Sequence, residues 1–269
     1  MAETADSSIP WHPAFVQAIK LELEPYGDAL EFITEYRLTS EPLEIDLVIV
    51  KKAPGLVIEK NIARIFKQVN LLEYKSPDDY FSLYDFYKAL SYVFLYAALN
   101  KTSLEDLTLS VIETRHPREL FKYMEEKAAG ISETAPGIYR IAGYPLETQV
   151  IESRKLPFEE NLWLKGLTKD LNPAMAGSIL EASHKKGSRA ELGAYVYALV
   201  TANLKTIQEV LAMADEVLAF DKWVEEMGWA AKWEAQGEKT GWEKALKLLK
   251  QGHTVEELER MSPPVSKSK

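Results

Sequence analysis

Two apolar runs carry residues whose types and spacing suit one kind of chemistry. Asp46 stands in "EIDLVIV" between Ile45 and Leu47, and Glu73 and Lys75 close "VNLLEYK". By the two-residue period of a strand, Glu44, Asp46, Val48 and Val50 share one face, and so do Glu73 and Lys75. An ionised carboxylate in an aliphatic strand is costly unless it is paired or bound to a metal. If the two strands are neighbours, Asp46, Glu73 and Lys75 converge at one end of a sheet. Two carboxylates a few ångströms apart stay ionised together only with a cation between them. Magnesium takes such oxygen ligands and keeps several waters. Water on the metal is acidified and can attack phosphorus. A lysine beside it can orient or deprotonate that water, or neutralise phosphoryl charge. Acid, acid and lysine form a minimal kit for metal-assisted phosphodiester hydrolysis. The bland alternative is a salt bridge between Glu73 and Lys75 at a strand end, with Asp46 as a local cap.

The elements that must position these residues are readable from period and punctuation. Phe15, Ile19 and Leu23 at spacing four predict a helix over 12–26, ending at Pro25 and Gly27. Strands are expected at 30–39, 41–52 and 69–75, with a turn at "APG" (53–55) and a short helix at 59–68. After the break "SPDDY", a long, aromatic-rich helix is expected over 78–99. A fourth strand follows at 107–115, then a helix at 117–128 with proline in its first turn, then a closing pair of strands over 137–156. This order predicts an α/β (α+β) fold, a mixed sheet with helices on both faces. Beyond Pro157 only helical periods recur, so boundaries are placed to give 1–156, a helical region 157–216, and a Trp/Glu/Lys-rich helical tail 217–269 with a disordered end at "SPPVSKSK". Trp223, Trp229, Trp233 and Trp242 in that tail suit a helical hairpin or a dimer seam.

Composition narrows the function classes. The 269 residues include no cysteine, which excludes disulfides, zinc thiolates and cysteine nucleophiles. The apolar runs at 92–99 and 194–202 are too short for a membrane span, and "MAETADSSIP" does not read as a signal peptide. A soluble cytoplasmic protein with no membrane partner is expected. The net charge of -9 argues against a general nucleic-acid coat, yet residues 51–75 hold six basic side chains against two acidic ones. No glycine-rich phosphate loop and no G-x-S-x-G elbow occurs. His12, His116, His184 and His253 show no ligand spacing and read as structural or solvated.

The pattern "EID" (44–46), followed 27 residues after Asp46 by "EYK" (73–75), resembles the D…(D/E)xK core of the PD-(D/E)XK nuclease superfamily. The stretch "EKNIARIFKQVNLLEYKSPDDYFSLYDFYKAL" and the "WEAQGEK" tail resemble the bacterial group near the recombination-promoting nuclease and transposase-like branch. The likeness spans roughly residues 10–155, with Ile45 where the family has proline. It implies a restriction-endonuclease-like fold and an Mg²⁺- or Mn²⁺-dependent nuclease acting on DNA, with double-stranded DNA as partner. It implies Asp46 and Glu73 as metal ligands, together with the Leu72 or Glu73 carbonyl, and Lys75 as the catalytic lysine. Members also place a glutamate on the first helix near the metal, a role open here to Glu22 or Glu24. Tyr84 and Lys88 share a helical face and suit a substrate-facing edge, while Ser76 suits either a phosphate contact or a helix cap. A two-fold homodimer through the C-terminal helices would suit double-strand cutting. The rival expectation is a scaffold that keeps the fold without catalysis and binds a protein or nucleic acid.

Overall fold

A computed structural model describes residues 9–37, 44–53, 55–127, 130–186 and 190–213. The chain divides into two units, Met1–Met213 and Ala214–Lys269. The tryptophan-bearing tail, and any dimer seam in it, lies outside the described residues. In order, the elements are α1 (Trp11–Glu22), β1 (Leu30–Arg37), β2 (Glu44–Lys51), β3 (Val69–Lys75), α2 (Leu83–Asn100), β4 (Leu107–Glu113) and α3 (Arg118–Glu126). Then come β5 (Ile131–Ala135), β6 (Ile138–Ile141), β7 (Glu147–Glu152), α4 (Leu162–Lys165), α5 (Pro173–Lys186), α6 (Ala190–Ala202) and α7 (Leu204–Met213).

The seven strands form one mixed sheet in the order β1-β2-β3-β4-β7-β6-β5. β3, β4 and β7 run parallel, and the flanking pairs are antiparallel. β4 is central and buried along its whole length, as its apolar run requires. Two of its polar residues, Thr108 and Ser110, are satisfied sideways. Thr108 Oγ1 donates to Asn70 Oδ1 at 2.8 Å, and Gln149 Nε2 donates to Ser110 Oγ at 2.9 Å. Gln149 Nε2 also reaches the Ile62 carbonyl at 2.7 Å, and Asn70 Nδ2 reaches those of Ile49 and Lys67 at 3.1 and 3.0 Å. This polar seam pins the 61–68 segment to the sheet. The helix expected at 59–68 reduces to a 3₁₀ turn at Asn61–Ala63, because its backbone groups bond to side chains instead: Asn61 Oδ1 takes the Ile62 N–H and Asn70 Oδ1 takes the Lys67 N–H.

One sheet face packs on α2 and α3 through Val48, Leu71, Leu109, Val111, Phe86, Val93 and Leu120. On α2, Phe86, Ala89, Leu90 and Val93 recur at helical spacing and are buried, so burial drives its docking. The helix begins five residues later than the sequence suggests. Ser82 forms a capping box, accepting from the Asp85 N–H while Asp85 accepts from the Ser82 N–H. The edge strand β5 was not anticipated. Its outward Ser132, Glu133 and Thr134 leave no apolar alternation to read, and such polarity is what keeps an edge from pairing with other chains. The β5–β6 turn needs Gly137, whose φ is +75°; a Cβ there would meet the Glu152 carbonyl oxygen at 2.7 Å.

The change of character at 157 is not a division of the structure. α1 packs against α4 and α6 within the first unit. Glu22, buried at the end of α1, accepts from the Trp163 and Leu164 N–H groups at 2.9 and 3.1 Å and pairs with Lys60. Burial raises the Glu22 carboxyl pKa, and Lys60 with those two N–H groups opposes the shift. Removing one partner of a buried, hydrogen-bonded pair costs about 3–5 kcal/mol. Glu22→Ala is expected to lower stability by about 3 kcal/mol, read as a lower urea midpoint at unchanged slope, while leaving any response to metal intact. A loss under about 1 kcal/mol would show that the pair contributes little.

Candidate functional site

The β2–β3 ladder runs from Val50↔Val69 to Leu47↔Leu72 and then stops. The next pair in that register is Asp46 opposite Glu73. Here the Asp46 carboxylate replaces the missing ladder partner, and its Oδ2 accepts the Tyr74 N–H at 2.7 Å. Tyr74 is buried on the other face and stacks on Phe15 of α1, ring centroids 4.4 Å apart and planes 7° from parallel. The site thus sits at the carboxyl end of β3, a member of the parallel set, where open α/β sheets place their ligands.

Asp46 and Glu73 face each other at the end of the ladder, and both carboxyl pKa values are raised. For Asp46, burial is the main cause, opposed by His12, the Tyr74 N–H and Lys75. For Glu73, burial and the facing Asp46 charge raise the pKa to about 9, against the pull of Lys88 and Lys75. Glu73 Oε1 is buried without a hydrogen-bond partner. Without a cation, burial and the facing Asp46 charge therefore favour a proton on Glu73. An oxygen-binding divalent cation would replace that proton and take the orphaned lone pairs, so the pair fits Mg²⁺ or Mn²⁺. Among the described residues no group of three or more acidic or histidine side chains is gathered for a metal. The protein would offer two carboxylates, with a backbone carbonyl, water and substrate completing the shell, as is common for magnesium.

Lys75 shares the Glu73 face, but its Nζ pairs with Asp85 Oδ1 at 2.9 Å. Burial acts against Asp85 ionising, yet the Ser82 hydroxyl and Lys75 hold its pKa below the usual range. Asp85 was missed from the sequence, although the capping box S-x-x-D was there to be seen. Lys88, one turn along α2, lies 5.4 Å over the Tyr92 ring and acts electrostatically on Glu73. Tyr84 is exposed beside it. His12, read as structural or solvated, has Nε2 3.5 Å from Asp46 Oδ1 and its ring edge-on to Tyr74. No spacing rule reveals a histidine 34 residues upstream of its partner.

The other expectations separate from this cluster. Glu22 lies ten residues along α1 from His12, about 15 Å at the helical rise, and is used structurally. Glu24 pairs with Lys186. Neither glutamate joins Asp46 and Glu73. Ser76 is buried in the 76–79 turn, donating to Asp79 Oδ2 at 2.9 Å and accepting the Asp78 N–H at 3.3 Å, and the cap of α2 is Ser82 instead. A cleft of ≈ 470 Å³ opens beside Asp46 between α1, β1 and β2, lined by His12, Gln17, Lys20, Thr34, Glu35 and Glu44. Glu35 takes φ +50°, opposite Asp46 in a β1–β2 register that runs Thr34↔Leu47 and then Tyr36↔Ile45.

No family model, no curated protein and no solved structure matches this chain. The site rests on its own geometry.

Both raised carboxyls favour the neutral form, so they stabilise the metal-free fold at low pH. For Glu73 that contribution is complete below its ordinary 4.5 and is lost as pH climbs through about 9. Glu113, pushed by burial to about 8, acts in the same direction. In EDTA the protein is expected to lose stability steadily between about pH 5 and 9, by on the order of a few kcal/mol. Glu73→Gln is expected to raise the Tm at pH 8 in EDTA and flatten the profile, leaving the slope due to Glu113. A Glu73→Gln profile parallel to wild type would mean the carboxyl is not strained.

Proposed function

We propose that the chain is a Mg²⁺- or Mn²⁺-dependent phosphodiesterase acting on nucleic acid, DNA being the expected form, of the PD-(D/E)XK type that its sequence resembles. The observation that carries this reading is the half-buried Asp46–Glu73 pair, two carboxyls facing each other at a strand end, with Lys75 two residues further along the same strand face. A purely structural role gives no reason to withdraw two facing carboxyls from water at a strand end, because it only costs stability. The order helix, three strands, helix, strand over Trp11–Glu113 supports the same reading, as does the mixed sheet with helices on both faces.

In this reading Asp46 and Glu73 hold the cation, whose contribution when bound is to acidify water and to offset phosphoryl charge. Asp46 is positioned by the Tyr74 N–H, and so by the stacking of Tyr74 on Phe15. Lys75 donates to the attacking water or to a non-bridging phosphate oxygen. Asp85 fixes where its ammonium sits. His12, 3.5 Å from Asp46, adds positive charge when protonated.

One observation favours the rival reading, a scaffold without catalysis: Lys75 is already committed to Asp85. The two are separated by metal titration with a cleavage assay. Millimolar Mg²⁺ or Mn²⁺ is expected to raise the wild-type Tm, by about 2.7 kcal/mol in stability at a hundredfold excess over Kd. Asp46→Ala should lose that response. Nicking of supercoiled plasmid should fall by about 10²–10³ in Asp46→Ala and in Lys75→Ala. A metal response without nicking on any nucleic acid would favour the scaffold, and no metal response at all would end the metal-site reading.

A further inference from the structure

Beside the carboxylate pair, α2 and α3 present a row of tyrosines that the hydrolytic site does not use. Tyr84 is 80% exposed, an unusual setting for a large ring, and Tyr87 is 41% exposed. The Tyr84 ring meets Tyr87 edge to face, centroids 6.4 Å apart at 81°. Tyr87 meets Tyr123 of α3 the same way, at 6.3 Å and 85°, and its hydroxyl donates to the Tyr123 hydroxyl at 2.8 Å. Tyr87 is thereby anchored, and Tyr84 stands on it with its ring open to solvent. Two cations border the row. Lys88 shares the Tyr84 face of α2, and Lys127 Nζ lies 5.8 Å over the Tyr123 ring. Lys88 is also the cation that acts most strongly on Glu73. Tyr84 also directly precedes Asp85, the partner of Lys75, so the row begins at the helix start that holds the lysine of the proposed site.

We propose that this tyrosine row is a stacking platform for an unpaired nucleic-acid strand, and that the substrate is single-stranded or locally unwound rather than the continuous duplex expected from the sequence. The inference rests on the phosphodiesterase reading and narrows its substrate class. A duplex hides the faces of its bases and offers phosphates, which are read by many cations. An exposed ring with few cations around it suits bases that are already splayed out. The acidic chain as a whole does not favour a phosphate-dominated grip. With Lys88 and Lys127 as the phosphate contacts, the salt dependence should be shallow, a log–log slope of about -1.4 for two cations on a single strand.

The test is fluorescence anisotropy in EDTA, where binding is read without cleavage. A labelled mixed-sequence strand, as DNA and as RNA, is compared with the duplex made by annealing its complement. Wild type should bind either single strand more tightly than the duplex, with the shallow salt slope. Tyr84→Ala should weaken single-strand binding about tenfold or more, while Tyr84→Phe, which keeps the ring, binds like wild type. Asp46→Asn should also bind like wild type, which separates the platform from the hydrolytic site. Strand binding that survives without any nicking by wild type would end the hydrolytic reading and leave the platform standing. Plasmid nicking by wild type, together with no single-strand preference or an equal loss in Tyr84→Ala and Tyr84→Phe, would overturn the platform and leave the hydrolytic reading intact.

Discussion

The structure around the site depends on the hydrogen bond from the Tyr74 N–H to Asp46. Two antiparallel strands part at that point, and a backbone donor on the inner edge of a sheet would otherwise face a gap. A side-chain carboxylate supplies the acceptor and so is drawn into a setting that raises its own free energy. The same residue, Tyr74, sends its ring to the opposite face and clamps α1 through Phe15. One residue therefore joins the first helix, the sheet and the acidic pair. Its backbone sets the carboxylate, and its ring sets the helix that brings His12 alongside.

Charge at this end of the sheet is arranged in alternation. Asp46 and Glu73 confront each other, Lys75 is drawn off to Asp85, and Lys88 stands further along α2. The Ser82 capping box holds Asp85 in turn, so the start of α2 and the position of the lysine are set by one carboxylate. At the neighbouring carboxyl end of β4, the buried Glu113 accepts the Phe81 N–H just before that helix. The beginning of α2 is thus tied to the sheet by two acids, and a residue on its first turn cannot shift without disturbing both.

Much of this was legible in the residues. Alternation in "EIDLVIV" and "VNLLEYK" located β2 and β3 and put Asp46 and Glu73 on matching faces, because burial fixes the register. The long helix after them was legible from its aromatic stripe. What could not be read depends on distant chain. His12 meets Asp46, and Glu22 meets Trp163 and Leu164, by way of contacts no local period encodes. The polar edge strand β5 carries no apolar signal. The short helix expected at 59–68 failed because Asn61 and Asn70 offered the backbone better partners than its own carbonyls.

Glu22 carries a consequence for the chain as a heritable unit. Sequence character changes at Pro157, which by pattern alone marks a place for a gene to be cut or for the helical part to be exchanged with another. Yet the first turn of α4 donates its N–H groups to a carboxylate at the far end of α1, and α6 packs on that helix too. A sheet region severed from its helices would carry a buried acid stripped of two of its donors, and an open apolar face on α1. A cut at Pro157 would therefore pass through one folded unit rather than between two.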